Sequence, residues 1–194
     1  MKRINWKIGL LSTLTFLLVA ASAAAASPMS ELKTANVKLN TLAKANASDA
    51  QLKRFVNRLI DYDTMAQECL KTQWATLSAA QKTEFKKLFR ALIEKNYIKG
   101  IRKNAKYSVD YKREHVSGRQ ARVFTVVHSV RRGRPRQTEV VYRMHRRGRS
   151  WAMTDMITDD VSMVRNYRKS FTRIIAKHDF ATLLQKMRKK LGSS

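Results

Sequence analysis

The hydrophobic period of this chain changes at Asn104, and that change dictates its architecture. Before it, apolar residues recur at intervals of three and four. After it they alternate with polar ones, as on a strand with one covered face. Tyr107, Val109 and Tyr111 alternate with Ser108, Asp110 and Lys112. Ala121, Val123, Thr125 and Val127 alternate with Arg122, Phe124, Val126 and His128. Val140, Tyr142 and Met144 alternate with Val141, Arg143 and His145; Trp151, Met153 and Asp155 alternate with Ala152, Thr154 and Met156. Ser117-Gly118, Arg132-Gly133-Arg134-Pro135 and Arg147-Gly148 separate the four runs at hairpin lengths. Connections this short predict an antiparallel meander.

The flanking segments are helical. Ser30 to Lys44 is amphipathic. Asn46-Ala47-Ser48-Asp49 breaks it, and Ser48 or Asp49 can cap a second helix carrying Leu52, Phe55, Val56, Leu59 and Ile60 on one stripe. Asp61-Tyr62-Asp63 interrupts and restarts a short helix through Met65, Cys69 and Leu70. Ser78 with Gln81 reads as a capping box for a long helix through Phe85, Leu88, Phe89, Leu92, Ile93, Tyr97 and Ile101. After the strands, Val161 to Ala176 and Asp179 to Leu191 return to helical spacing. Helices, a four-stranded meander and two more helices predict an α+β fold, with the helices packed on one face of a curved sheet.

The N-terminus constrains where such a chain works. Lys2, Arg3 and Lys7 precede or flank an apolar run from Ile8 to Ala21, followed by a small-residue tract to Ser27. That order is a secretory signal peptide, with cleavage expected after Ala26. Residues 27–48 are then an N-terminal helical segment and 49–194 a single domain. The formal charge of +26 falls by three with the leader and stays strongly positive. Such a charge ordinarily points to nucleic acid. Export redirects it to anionic lipid head groups and acidic protein surfaces. Cys69 is the only cysteine, so no internal disulfide forms, and it is expected as a buried small residue.

Two groups of residues are candidates for function. The first is the apolar face of the sheet: Val109, Tyr111, Val123, Thr125, Val127, Val140, Tyr142, Met144, Trp151 and Met153. Tyr97 and Ile101 of the long helix reach it, as do Val164, Tyr167 and Phe171 of the penultimate helix. Periodicity does not distinguish a filled core from a lined cavity, although methionine and tyrosine suit an adaptable apolar lining. The second is a belt of arginines: Arg131, Arg132, Arg134 and Arg136 on one hairpin, and Arg143, Arg146, Arg147 and Arg149 on the next. It is either a solvated surface or a docking surface for acidic partners or lipid phosphates. Asp159 or Asp160 is expected to cap the helix that follows. No P-loop, zinc spacing or nucleophile elbow occurs, and no metal or cofactor is expected.

Several segments together resemble the MlaC family, also called toluene-tolerance proteins. Trp151-Ala152-Met153-Thr154-Asp155-Met156-Ile157 runs into Asp160-Val161-Ser162-Met163-Val164-Arg165-Asn166-Tyr167, and Asp179-Phe180-Ala181-Thr182-Leu183-Leu184-Gln185-Lys186-Met187-Arg188 closes the domain. Arg54-Phe55-Val56-Asn57-Arg58-Leu59-Ile60-Asp61-Tyr62, Gln73-Trp74, Leu77-Ser78, Glu84-Phe85-Lys86-Lys87-Leu88-Phe89 and Tyr142-Arg143-Met144 fit the same pattern. The family usually has Gly where this chain has Asp160.

The resemblance implies a non-enzymatic periplasmic carrier that holds phospholipid as cargo between sheet and helices. It implies exchange with an outer-membrane lipoprotein/porin complex and an inner-membrane ABC transporter complex, which maintains outer-membrane lipid asymmetry. It places Tyr97, Ile101, Tyr142, Met144, Trp151, Met153, Val161, Val164 and Tyr167 at the cargo. Two other readings stay open on the residues alone: a small-molecule enzyme in a cone-shaped α+β fold, and an exported polyanion-binding module.

Overall fold

Ser27 caps the first helix. Its side chain accepts a hydrogen bond from the Ser30 amide and Pro28 occupies the first helical turn of α1, Pro28–Lys44. The computed structural model describes residues 26–103, 107–131 and 133–192, so the leader up to Ala25 lies outside the described residues. Helix α2, Asp49–Leu59, opens with a reciprocal capping box between Ser48 and Gln51. Asp61 caps α3, Tyr62–Leu70, through the Thr64 amide. After the short α4, Thr72–Thr76, the expected Ser78–Gln81 box forms in both directions and opens α5, Ala79–Lys103. Ile98, outside the stripe read from spacing, is buried as are Phe85, Phe89, Leu92, Ile93 and Ile101.

The strands are β1 Tyr107–Ser117, β2 Gln120–Arg131, β3 Arg134–Arg147, β4 Ser150–Thr158 and β5 Val161–Ser162. They form one antiparallel sheet in sequence order. The meander is as expected, with a two-residue fifth strand added. That strand exists because Asp159 and Asp160 both adopt positive φ, 46° and 63°, and turn the chain back onto β4. The two aspartates therefore make a tight turn and do not cap the next helix, α6, Met163–Lys177. Ser162 is its cap, accepting from the Arg165 amide. Helix α7, Phe180–Gly192, packs on α5 and α6.

Two irregularities shift the sheet's alternation. One lies between Tyr111 and Arg113, the other between Arg143 and Met144 opposite Thr154. The first brings Glu114 opposite Val123, onto the face of Ala121 and Tyr142. The second sends Asp155 to the opposite face, across from Arg143, and puts Met156 opposite Tyr142. Asp155 is therefore absent from the apolar face on which simple alternation placed it.

That apolar, inner face is covered by α1, which touches β1, β2 and β4. Polar bonds fix its crossing: Glu114 accepts from the Met29 amide (2.7 Å), and Glu31 accepts from the Trp151 amide (2.6 Å). Leu32 and Leu39 of α1 join the same core as the other helices. Phe85, Phe89, Tyr167, Phe171 and Phe180 form a ring cluster between α5, α6 and α7. Cys69 is fully buried, as expected, and burial pushes its thiol up to about 12.

Candidate functional site

Cross-strand register assembles the inner face row by row. Val109 faces Val127, Tyr111 faces Thr125, and Thr125 faces Val140. Val123 faces Tyr142, Ala121 faces Met144, and Met144 faces Met153. Ile101, Val123, Val140, Tyr142, Met144, Trp151 and Met153 are buried. Tyr97, Val109, Tyr111 and Val127 are half-buried. The half-buried residues are on β1, β2 and the C-terminal half of α5, and the buried ones include Met144 of β3 with Trp151 and Met153 of β4.

Four tyrosines lie near one another, Tyr142 buried and Tyr97, Tyr107 and Tyr111 half-buried. Burial raises the hydroxyl pKa of Tyr97 and Tyr142 far above the ordinary tyrosine value, and their tyrosine neighbours add to it. Tyr107 and Tyr111 shift the same way, with burial again the main cause. Tyr97 thus sits in desolvated surroundings and still keeps accessible surface. The Tyr111 hydroxyl accepts from Asn36 of α1, and the Trp151 indole N–H lies buried without a partner among the described residues.

Three expected lining residues sit elsewhere. Val161 is 60 % exposed, because it follows the positive-φ turn and starts the short edge strand. Tyr167 turns to the helix layer: its ring lies 5.7 Å from Phe89 and 5.4 Å from Phe171, and its hydroxyl accepts from Asn96. Val164 is buried, but it borders a pocket on the other face of the sheet. Ala121, Glu114, Asn36 and Met156 join the inner face or its cover without having been singled out. The two β-irregularities carry no sequence signature that would have revealed Glu114 or Met156, whereas Ala121 already stood in the alternating pattern.

The outer pocket encloses about 850 Å³. Thr64 and Glu68 of α3 with Arg165 and Arg168 of α6 form one wall. His115, Ser117, Gln120, Arg122, Arg143 and His145 on β1 to β3 form the floor. Asp155 and Ser162 border it beneath the start of α6. The Asp155 carboxylate accepts from the Met156 and Val164 amides and from the Ser162 hydroxyl, at 2.9, 3.0 and 2.6 Å. Glu68 accepts from Arg168, and His145 contacts Asp61 at 2.8 Å. Each of these potential acid–base groups is therefore engaged in a structural contact. Among the described residues, no cluster of His, Cys, Asp or Glu suits a metal ion.

The arginine belt divides. Successive hairpins of a meander lie at opposite ends of the sheet, and β3 with its 14 residues separates them by about 43 Å. Arg134 and Arg136 are exposed at one end, where Arg136 pairs with Asp159 at 3.3 Å. The Arg131 side chain and Arg132 lie outside the described residues. At the other end Arg146 stacks over Trp151 (5.1 Å), Arg147 donates to the Arg58 carbonyl, and Arg149 is exposed. Arg143 points to the outer pocket. The six arginines whose side chains are described are thus not one continuous surface.

A scan against protein-family models matches residues 29–189 to the family described as MlaC protein. Among solved structures, the phospholipid-binding protein from Ralstonia solanacearum, determined in complex with a phospholipid, has a TM-score of 0.73. The match covers 86 % of this chain and 97 % of that one at 17 % identity, and is a likeness of fold. A search of curated proteins finds no match.

Proposed function

The chain belongs to the MlaC family, and from that premise we propose that it is a periplasmic phospholipid carrier without catalytic chemistry. The acyl chains lie between the inner face of the sheet and helices α1 and α5. The head group sits near the half-buried Tyr97, Tyr107 and Tyr111, whose neutral hydroxyls are suited to hydrogen bonds with ester oxygens. The observation that supports this reading is the inner face itself, largely apolar from Val109 to Met153 and only half-buried at Val109, Tyr111 and Val127.

The physics of lipid transfer requires such a face. A two-tailed lipid in water exposes roughly thirty methylenes at ~0.8 kcal/mol each, a barrier on the order of 20 kcal/mol. Burial against apolar side chains removes most of it. Transfer from bilayer to protein is then close to neutral, and direction must come from partners. By family, those are an outer-membrane lipoprotein/porin complex and an inner-membrane ABC transporter complex, and the traffic serves outer-membrane lipid asymmetry. The leader read from the sequence supplies export. The Ser27 cap of α1 suits a mature chain that begins there, and no helix among the described residues is long and apolar enough to cross a membrane.

Transfer of fluorescent phospholipid from donor to acceptor vesicles tests the proposal. Added mature protein should accelerate transfer in proportion to its concentration. Folded protein that leaves the rate at the protein-free value would rule the carrier out.

A further inference from the structure

The outer pocket opens on the face of the sheet opposite the acyl-chain site, shares Ala121 and Met144 of the central strands with it, and has a different chemistry. Register places His115 opposite Arg122, Arg122 opposite Arg143, and Arg143 opposite Asp155. On neighbouring strands the first three Cα positions span about 10 Å. Like charges directly opposite on one sheet face destabilise it. Asp155 is the single acid of the row; its carboxylate accepts from two backbone amides and the Ser162 hydroxyl and makes no ion pair with Arg143 among the described residues. Glu68, the other acid of the pocket, pairs with Arg168. Arg122, Arg143 and Arg165 are left with no carboxylate partner among the described residues, and all three line the same concavity.

We propose that this pocket binds a phosphate group. Guanidinium forks match phosphate oxygens in a planar, bidentate way, and several arginines converging on a recess supply the charge to hold it. Ser117 and Gln120 on the rim add neutral donors. The volume of about 850 Å³ exceeds that of a bare phosphate, so a phosphate ester with its substituent fits. The group is either a free phosphate compound or the phosphate of a head group presented at a membrane surface. An occupied pocket would also remove the Arg122–Arg143 repulsion, so binding should stabilise the fold. The inference rests on the pocket alone and holds whether or not the inner face carries lipid.

The test uses the mature protein and the double variant Arg122→Gln/Arg143→Gln, with Arg134→Gln/Arg136→Gln as the charge-matched control at the distal hairpin. Inorganic phosphate and glycerol 3-phosphate are titrated calorimetrically. Sedimentation with phosphatidylcholine vesicles, with and without phosphatidylglycerol, gives the membrane arm. The pocket variant should bind at least tenfold more weakly than wild type and the control less than twofold. Saturable binding of the soluble probes identifies a free phosphate ligand. Binding only to vesicles that contain phosphatidylglycerol, lost in the pocket variant, identifies the membrane source. Equal loss in both variants would reduce the effect to net charge and overturn the site, as would wild-type protein that binds no probe. Arg165→Gln gives a second single-site readout should the double variant fold poorly.

Discussion

Asp155 joins the sheet to α6, and its removal has a cost that the geometry sets. The residue is 3 % exposed. Its Oδ1 accepts from the Met156 and Val164 amides, and its Oδ2 accepts from the Ser162 hydroxyl. In Asp155→Ala the Val164 amide and Ser162 hydroxyl stay buried with no acceptor at that position. Stranding a buried donor costs about 1–3 kcal/mol, and bonds to a charged acceptor are at the upper end. The expected loss is about 3–5 kcal/mol, or roughly 6–20 °C in Tm for a chain of this length. Asp155→Asn keeps the Oδ1 acceptor for both amides and offers the Ser162 oxygen a donor, so its cost should be about 1 kcal/mol. Urea denaturation with linear extrapolation measures both. An alanine variant within 1 kcal/mol of wild type, or an asparagine variant as damaged as the alanine, would refute this account of the junction.

Other substitutions separate function from folding. Val127→Asp places a carboxylate at the half-buried side of the inner face, where water can still reach it. Bound phospholipid per protein should fall severalfold while the urea midpoint moves little, and unchanged lipid content would remove Val127 from the site. Asp160→Gly relieves a left-handed backbone at φ 63°, and should leave stability unchanged or raise it by up to about 1 kcal/mol; a marked loss would contradict the turn. Cys69, with its thiol raised from 9.0 to about 12 by burial, should resist thiol reagents at pH 8 until urea unfolds the chain. The folded state keeps that proton while the unfolded state releases it, so this group lowers stability as pH rises from about 9 to 12. A urea series across that range reads the slope.

Element type and order were legible because local signals agreed. The Ser78–Gln81 box, the change of period at Asn104 and the Gly118, Gly133 and Gly148 turns each mark a boundary that formed. What alternation could not convey was its own interruption. The irregularity opposite Thr154 reverses the inward phase, so Asp155 leaves the face assigned to it while Met156 joins it. The turn at Asp159 and Asp160 was hidden for a related reason: aspartate before a helix normally signals a cap, and only the backbone reveals φ values of 46° and 63°. The family's usual glycine at the second position fits that conformation.

The inner face of the sheet was legible in part. Central-strand positions such as Val123, Tyr142 and Met144 face one side because period two survives there. Helical contributions were harder, since spacing defines a stripe but not the layer it meets. Tyr167 thus turned to Phe89 and Val164 to the outer pocket. Clustering in sequence also misled for the arginines, because consecutive hairpins of a meander are neighbours in the chain and opposite in space. The converse holds for His115, Arg122, Arg143 and Arg165, distant in sequence and gathered by register and by α6.

The measurement that addresses the central claim most directly is mass spectrometry of the mature protein purified from its native envelope without detergent, first intact and then after solvent extraction. The account predicts a complex heavier than the chain by the mass of one two-tailed phospholipid, and an extract dominated by that lipid. Folded protein with the bare chain mass and no lipid in the extract would contradict it.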